Sequence, residues 1–233
     1  MGQFEGKGAY KEFRLLAGVY ENHHHFVVLD GSSIENMSDF KGKKVCLGSA
    51  GSGGAVNSQN IFEALGLWET FTPIYLGWSE GGRALTDGQI DGIGMSSAPA
   101  PAMVTAEAQK AIRLIELTDE EFKTVLTKFP TYTKSYIPKG TYNAVKEDTP
   151  TIAFQVYIAG QKEADADSVY EMLKVAFDPK NAETLGKIHK HLTTMSSSFD
   201  GMISLGIPLH AGAVKFWKEQ GLSIPQELIP PEM

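Results

Sequence analysis

The segment Lys44-Val45-Cys46-Leu47 runs directly into Gly48-Ser49-Ala50-Gly51-Ser52-Gly53-Gly54, and these glycines and hydroxyls are the part of the chain best suited to holding an anion. An apolar strand that breaks into a glycine-rich turn and then feeds a helix leaves several backbone N–H groups without intrahelical partners, at the positive end of the helix dipole. A carboxylate or a phosphate is the complement of such a volume. Ser49, Gly51, Ser52, Gly53 and Gly54 are therefore the first candidate ligand residues, and Asn57 lies one helical turn further on.

Sharper readings of the loop fail on spacing. A nucleotide-triphosphate loop needs Lys and Ser/Thr after its last glycine, but Gly53 is followed by Gly54 and Ala55. A dinucleotide fingerprint starting at Gly51 needs Gly or Ala at position 56, which holds Val56. A nucleophile elbow needs glycine two residues before the serine, where Leu47 and Ala50 stand instead. What remains is a cradle of amides and hydroxyls with no catalytic side chain of its own, or a bare strand-to-helix turn.

Two more strand ends offer polar groups. Ser79 and Glu80 follow an apolar run at 73–76, although Ser79 is equally suited to capping the next helix. Ser96 and Ser97, with Pro99, follow the run at 90–95. Trp78 and Tyr75 have the faces to pack on the aliphatic part of a ligand, or simply belong to the core. His23, His24 and His25 invite a metal reading, but two same-face imidazoles without a Cys or carboxylate partner do not close a site, so they are read as structural or solvent-facing. His210 reads as an anchor or cap of the last helix, and Asp87 and Asp91 as turn residues. No metal and no cofactor is expected.

These residues need strands and helices to position them. Short β-branched or apolar runs alternate with longer helical patterns, the signature of an α/β chain on mostly parallel sheets. Strands are predicted at 26–29, 45–47, 73–76, 90–95, 113–117, 133–137 and 151–158. Helices are predicted at 53–65, 80–86, 101–108, 118–129, 167–177, 182–192 and 211–220. The clearest is 118–129: Thr118 and Glu121 form a capping box, Phe122, Val125, Leu126 and Phe129 share one face, and Pro130 stops it. The proline-bearing tail from Ile224 to Pro231 should be a wrapped or loose terminus.

Composition narrows the classes. With 42% hydrophobic and 21% charged residues, 233 residues are enough for one large core or two modest ones. A formal net charge of -7 with scattered Lys and Arg argues against a nucleic-acid surface. Cys46 is the single cysteine, so no intrachain disulfide is possible, and its apolar setting suggests a small buried hydrophobe. No window is apolar enough to span a bilayer, and Met1 to Gly8 lacks the apolar core of an export signal.

Taken together, Phe13 to Tyr20, Ser38 to Val45, Gly51-Ser52-Gly53, Asp87 to Asp91, Tyr132 with Ile137 to Tyr142, and Ile207 to Ala213 resemble, in order and spacing, the TAXI family of TRAP-transporter solute receptors. The resemblance covers nearly the whole chain from Phe13 to Gly221. It implies a type II periplasmic-binding-protein fold of two lobes joined by hinge strands. Residues 1–28 and 157–233 would form part of the first lobe, and 29–156 the second, which carries the glycine loop. It further implies a periplasmic or otherwise extracytoplasmic receptor, not an enzyme. Such a receptor closes on a small carboxylate or amino acid such as glutamate and delivers it to the TRAP membrane permease.

Two departures stand out. The first strand-helix units of lobe one and the export signal are expected to be missing from this chain. The family commonly has Thr after Gly-Ser-Gly, where this chain has Gly54. A ligand-sensing effector domain of a transcription regulator is the alternative on the same fold, without the helix-turn-helix or basic surface it needs. An enzyme would require a nucleophile or acid-base pair at the strand ends, which offer mainly Ser, Gly and Glu80.

Overall fold

The computed structural model describes residues 6, 8, 10–188, 192, 193 and 195–233. The chain forms two compact units, one comprising the chain up to Glu21 together with Gln155–Met233, the other Asn22–Phe154. Both changes of unit fall inside long strands: β1 (Phe13–Leu29) runs from the first into the second, and β7 (Thr149–Gln161) runs back.

Between them lie β2 (Lys44–Cys46), α1 (Gly53–Ala64), β3 (Thr72–Ile74), α2 (Trp78–Thr86), β4 (Gly92–Ser96), α3 (Pro101–Gln109), β5 (Ile112–Ile115), α4 (Asp119–Lys128) and β6 (Tyr132–Ile137). The described strands form a seven-stranded sheet in the order β3-β2-β4-β1-β7-β6, with β5 paired to β1 off this path.

The expected α/β fold is what the chain forms, but its sheet is mixed. β2 is parallel to β3 and β4, while β1 is antiparallel to β4 and β5, and β6 to β7. The strand expected at 26–29 is the C-terminal end of β1. The polar run Glu21 to His25 hides the rest from a hydrophobicity pattern, yet the backbone stays extended and both His24 and His25 are buried.

Alternation along β1 divides the second unit into two cores. Phe26 and Val28 join Phe40, Phe62, Val125 and Ile152 on the side of α1 and α4. Val27 joins Cys46, Leu85, Ile93, Met95 and Met103 on the side of α2 and α3. Covered on both faces, the central strand β4 needs no polar side, and Gly92 to Met95 are all buried. Cys46 is the buried hydrophobe its setting suggested.

The first unit contains α5 (Ala166–Phe177), α6 (Ala182–Ile188), α7 (Phe199–Leu205) and α8 (Ala211–Glu219). Leu15 and Leu16 of β1 pack with Leu173, Met202, Phe216 and Trp217. Trp217 Nε1 donates to Leu16 O at 2.9 Å. Of the helix expected at 182–192, the structure shows Ala182–Ile188, and residues 189–191 lie outside the described residues. Helix α7 has no counterpart in the sequence reading, because its seven residues hold too few turns for a periodic pattern. The tail is wrapped: Leu228 is buried and Glu232 pairs with Arg14 at 2.7 Å.

Candidate functional site

The glycine loop lies beyond the carboxyl ends of parallel strands. β2 and β4 pair through Val45↔Gly92 and Cys46↔Ile93, so the turn after Cys46 and the end of β4 at Ser96 emerge on the same edge. Ligands in open α/β sheets occupy this edge. Gly48 (φ +92°) and Gly51 (φ +75°) make the turn in the left-handed region, where a side chain would be strained. Ser49 and Gly51 are exposed, Ser52 half-buried.

Ser52 is the N-cap of α1, its Oγ accepting from Ala55 N at 3.2 Å, and Val56 N donates to Ser52 O at 3.1 Å. The hydroxyl of Ser52 therefore serves the helix. The amides of Gly53 and Gly54 have no acceptor among the described residues and remain available to an anion.

Trp78 closes one side of the loop. A Cβ on Gly48 would stand 2.5 Å from its ring, and one on Gly54 2.7 Å, so the indole packs directly on both glycines. The same Cβ on Gly54 would be 3.8 Å from Ser96 Oγ, which places the Ser96 hydroxyl beside the first turn of α1.

Ser96 is held from behind. It pairs with His24 across the antiparallel β1·β4 ladder, and His24 Nδ1 lies 3.0 Å from Ser96 Oγ. On the other side of the ring, His24 Nε2 lies 3.1 Å from Ser58 Oγ of α1. Burial, with a smaller contribution from the neighbouring His25, pushes His24 down to about 3, so its ring is neutral at pH 7. Burial likewise lowers His25 to about 4, and its Nε2 meets Tyr142 Oη at 3.0 Å. Ser97 sits at φ +72°, its N–H donating to Asn22 Oδ1 at 2.6 Å.

The structure thus brings Gly54 and Ser96 together beside the loop, while Gly53 faces open space. Asn57 turns to Tyr132, whose hydroxyl donates to Asn57 Oδ1 at 2.7 Å and accepts from Asn60 Nδ2 at 2.9 Å. Ser79 does not cap α2: Gly77 holds that position, and Ser79 and Glu80 stand exposed within the first turn. Ser79 lines a separate groove of about 300 Å³ between α2 and α3, with Arg83, Thr105 and Gln109. His210 caps α8 as expected, its Nδ1 accepting from Gly212 N at 3.2 Å. Asp91 ties the turn before β4 to β2 through Lys44 N at 2.7 Å.

Sequence reasoning missed His24 and Ser58 as supports of the site. The available signal was period two: Asn22, His24 and Phe26 share one face of a strand whose neighbours are apolar.

A model of the NMT1-like family matches residues 1–221. The chain belongs to that family. Among solved structures, this NMT1-like chain is similar to a mutant of ArgBP from T. maritima, at 14% identity and TM-score 0.44, with 79% of this chain and 62% of that one covered. It is similar to a structure described for glutathione import via GshT and the cystine ABC importer TcyBC of Streptococcus mutans, at 15% identity and TM-score 0.45, covering 78% and 63%. It is also similar to the arginine-, lysine-, histidine-binding protein ArtJ from Geobacillus stearothermophilus, at 17% identity and TM-score 0.43, covering 78% and 62%. The NMT1-like chain spans less than two thirds of the length of each of these structures. Among its described residues, no helix is long and apolar enough to cross a membrane.

Proposed function

We propose that this chain is the extracytoplasmic solute-binding receptor of a TRAP-type secondary transporter, with a type II periplasmic-binding-protein fold, capturing a small carboxylate or amino acid of the glutamate class. The observation that carries the reading is that the Ser96 hydroxyl lies beside Gly54, in the first turn of α1, at the carboxyl ends of the paired strands β2 and β4. The family resemblance of the sequence motifs, from Phe13 to Ala213, supports the TRAP assignment over other transporter types. The two lobes, 1–28 with 157–233 and 29–156, would close over the ligand, and the permease would recognise the closed form. A ligand drives that closure only by binding the closed state more tightly than the open one.

Binding without turnover fits the chemistry of these groups. A histidine held near 3 is poorly matched to take the Ser96 proton at neutral pH, so the Ser96–His24 pair lacks an effective general base. Backbone amides and a hydroxyl read charge and shape, which suits a carboxylate.

A thermal-shift screen of the purified protein against amino acids and dicarboxylates tests the reading. A specific ligand at about 100 times its Kd stabilises by about 2.7 kcal/mol, a rise of several degrees. No shift with any small anion would remove the proposal.

A further inference from the structure

We propose that the buried Ser58–His24 pair fixes the polarity of Ser96, so that the Ser96 hydroxyl presents its proton, and not a lone pair, to the bound solute. This rests on the reading of the glycine loop as the ligand site. It makes Ser96 a donor selective for an anionic oxygen, and Ser58 and His24 positioning residues.

The argument is one of counting protons along a chain of three groups. A neutral imidazole carries one N–H and one bare nitrogen, so its two neighbours cannot both donate to it or both accept from it. Ser58 has one proton and two acceptors within reach: His24 Nε2 at 3.1 Å and Gly94 O at 3.4 Å. The contact to Nε2 is the shorter, and the one to Gly94 O lies beyond the roughly 2.5–3.0 Å of a normal O–H···O bond. Donation from Ser58 to Nε2 places the ring proton on Nδ1, and Nδ1–H then donates to Ser96 Oγ across 3.0 Å. With that acceptor position filled by the ring, the Ser96 proton is free to turn outward, towards the space beside Gly54.

The packing holds the relay in this register. A Cβ on Gly94 would stand 2.7 Å from Ser58 Oγ and 2.7 Å from the Phe26 ring, so only glycine at 94 lets the Ser58 hydroxyl reach His24. Phe26 meets the His24 ring edge-on at 5.2 Å, and the His24 carbonyl accepts from Thr151 Oγ1. The opposite tautomer would reverse the chain: Ser96 would donate inward to Nδ1, and only its lone pairs would face a solute, favouring an ammonium group over a carboxylate.

Long-range proton–nitrogen correlation spectra of ligand-free, nitrogen-15-histidine-labelled protein read the tautomer directly, with the His24 ring identified as the one whose signals move in Ser96→Ala. The expected result is a neutral ring protonated on Nδ1. A proton on Nε2 overturns the inference while leaving the receptor reading intact. Titration with L-glutamate supplies the second readout: Ser96→Ala should weaken its binding about tenfold, as expected for loss of a donor to a charged acceptor. Unchanged glutamate affinity in Ser96→Ala would also overturn the inference. Failure of the wild type to bind glutamate counts against the receptor reading alone, because the tautomer is decided without ligand.

Discussion

The indole of Trp78 occupies the space that a side chain on residue 54 would need, 2.7 Å from the position of a Cβ there. The indole and a larger residue at 54 are alternatives for one volume. Gly54 is in the first turn of a helix, and in helix interiors Ala is favoured over Gly by about 0.5–1 kcal/mol. Gly54→Ala is expected instead to destabilise, by about 1–3 kcal/mol from overpacking. Urea denaturation of Gly54→Ala, Trp78→Leu and the double variant checks it, with the double variant recovering most of the loss. Simple additivity would show that the two residues do not compete.

Ser52 should behave as a helix cap whether or not ligand is present. Ser52→Ala removes the acceptor for Ala55 N and is expected to cost about 1 kcal/mol, while Ser52→Gly costs only a few tenths. Thr118→Ala, in the capping box of α4, should cost a similar amount. Equilibrium unfolding in denaturant measures all three.

Tyr132 joins α1 to the sheet. Its hydroxyl bonds both Asn57 and Asn60, and burial raises its pKa against the opposing bond from Asn60. Tyr132→Phe leaves two partly buried amides short of a partner and should cost about 1–3 kcal/mol. Glutamate binding measured alongside separates a stability role from a ligand role for Asn57: an affinity change beyond about twofold would mean that Asn57 touches the solute.

Acid should destabilise the protein before its carboxylates titrate. His24 and His25 are lowered from 6.5 to about 3 and about 4 by burial. Between the unfolded and folded values, the unfolded state takes up protons that the folded state refuses. The stabilising contribution is therefore complete above pH 6.5 and is lost as pH falls towards 4. Each histidine contributes a slope of about 1.4 kcal/mol per pH unit in that window. Urea midpoints from pH 7.5 to 4.5 should fall with a slope approaching the sum of the two. A flat profile would mean that the imidazoles are not held neutral.

The local sequence determined where the elements lie. Helix α4 was legible because capping, amphipathic spacing and a terminating proline agree within a dozen residues. The glycine turn after Cys46 was legible because left-handed backbone needs glycine. These are short-range effects, written in neighbouring residues. What tertiary structure decided are relationships between residues far apart in the chain. The antiparallel insertion of β1 beside β4 sets His24 against Ser96 and Ser58, 72 and 34 positions away. That pairing turned His24, one of three histidines that read as structural or solvent-facing, into a support for the candidate site. Tyr132 drew Asn57 towards the sheet, and the packing of α2 put Trp78 on Gly54 and aimed Ser79 into another groove. No local pattern encodes these outcomes, because a side chain's partner depends on which strand becomes its neighbour and on the burial that follows.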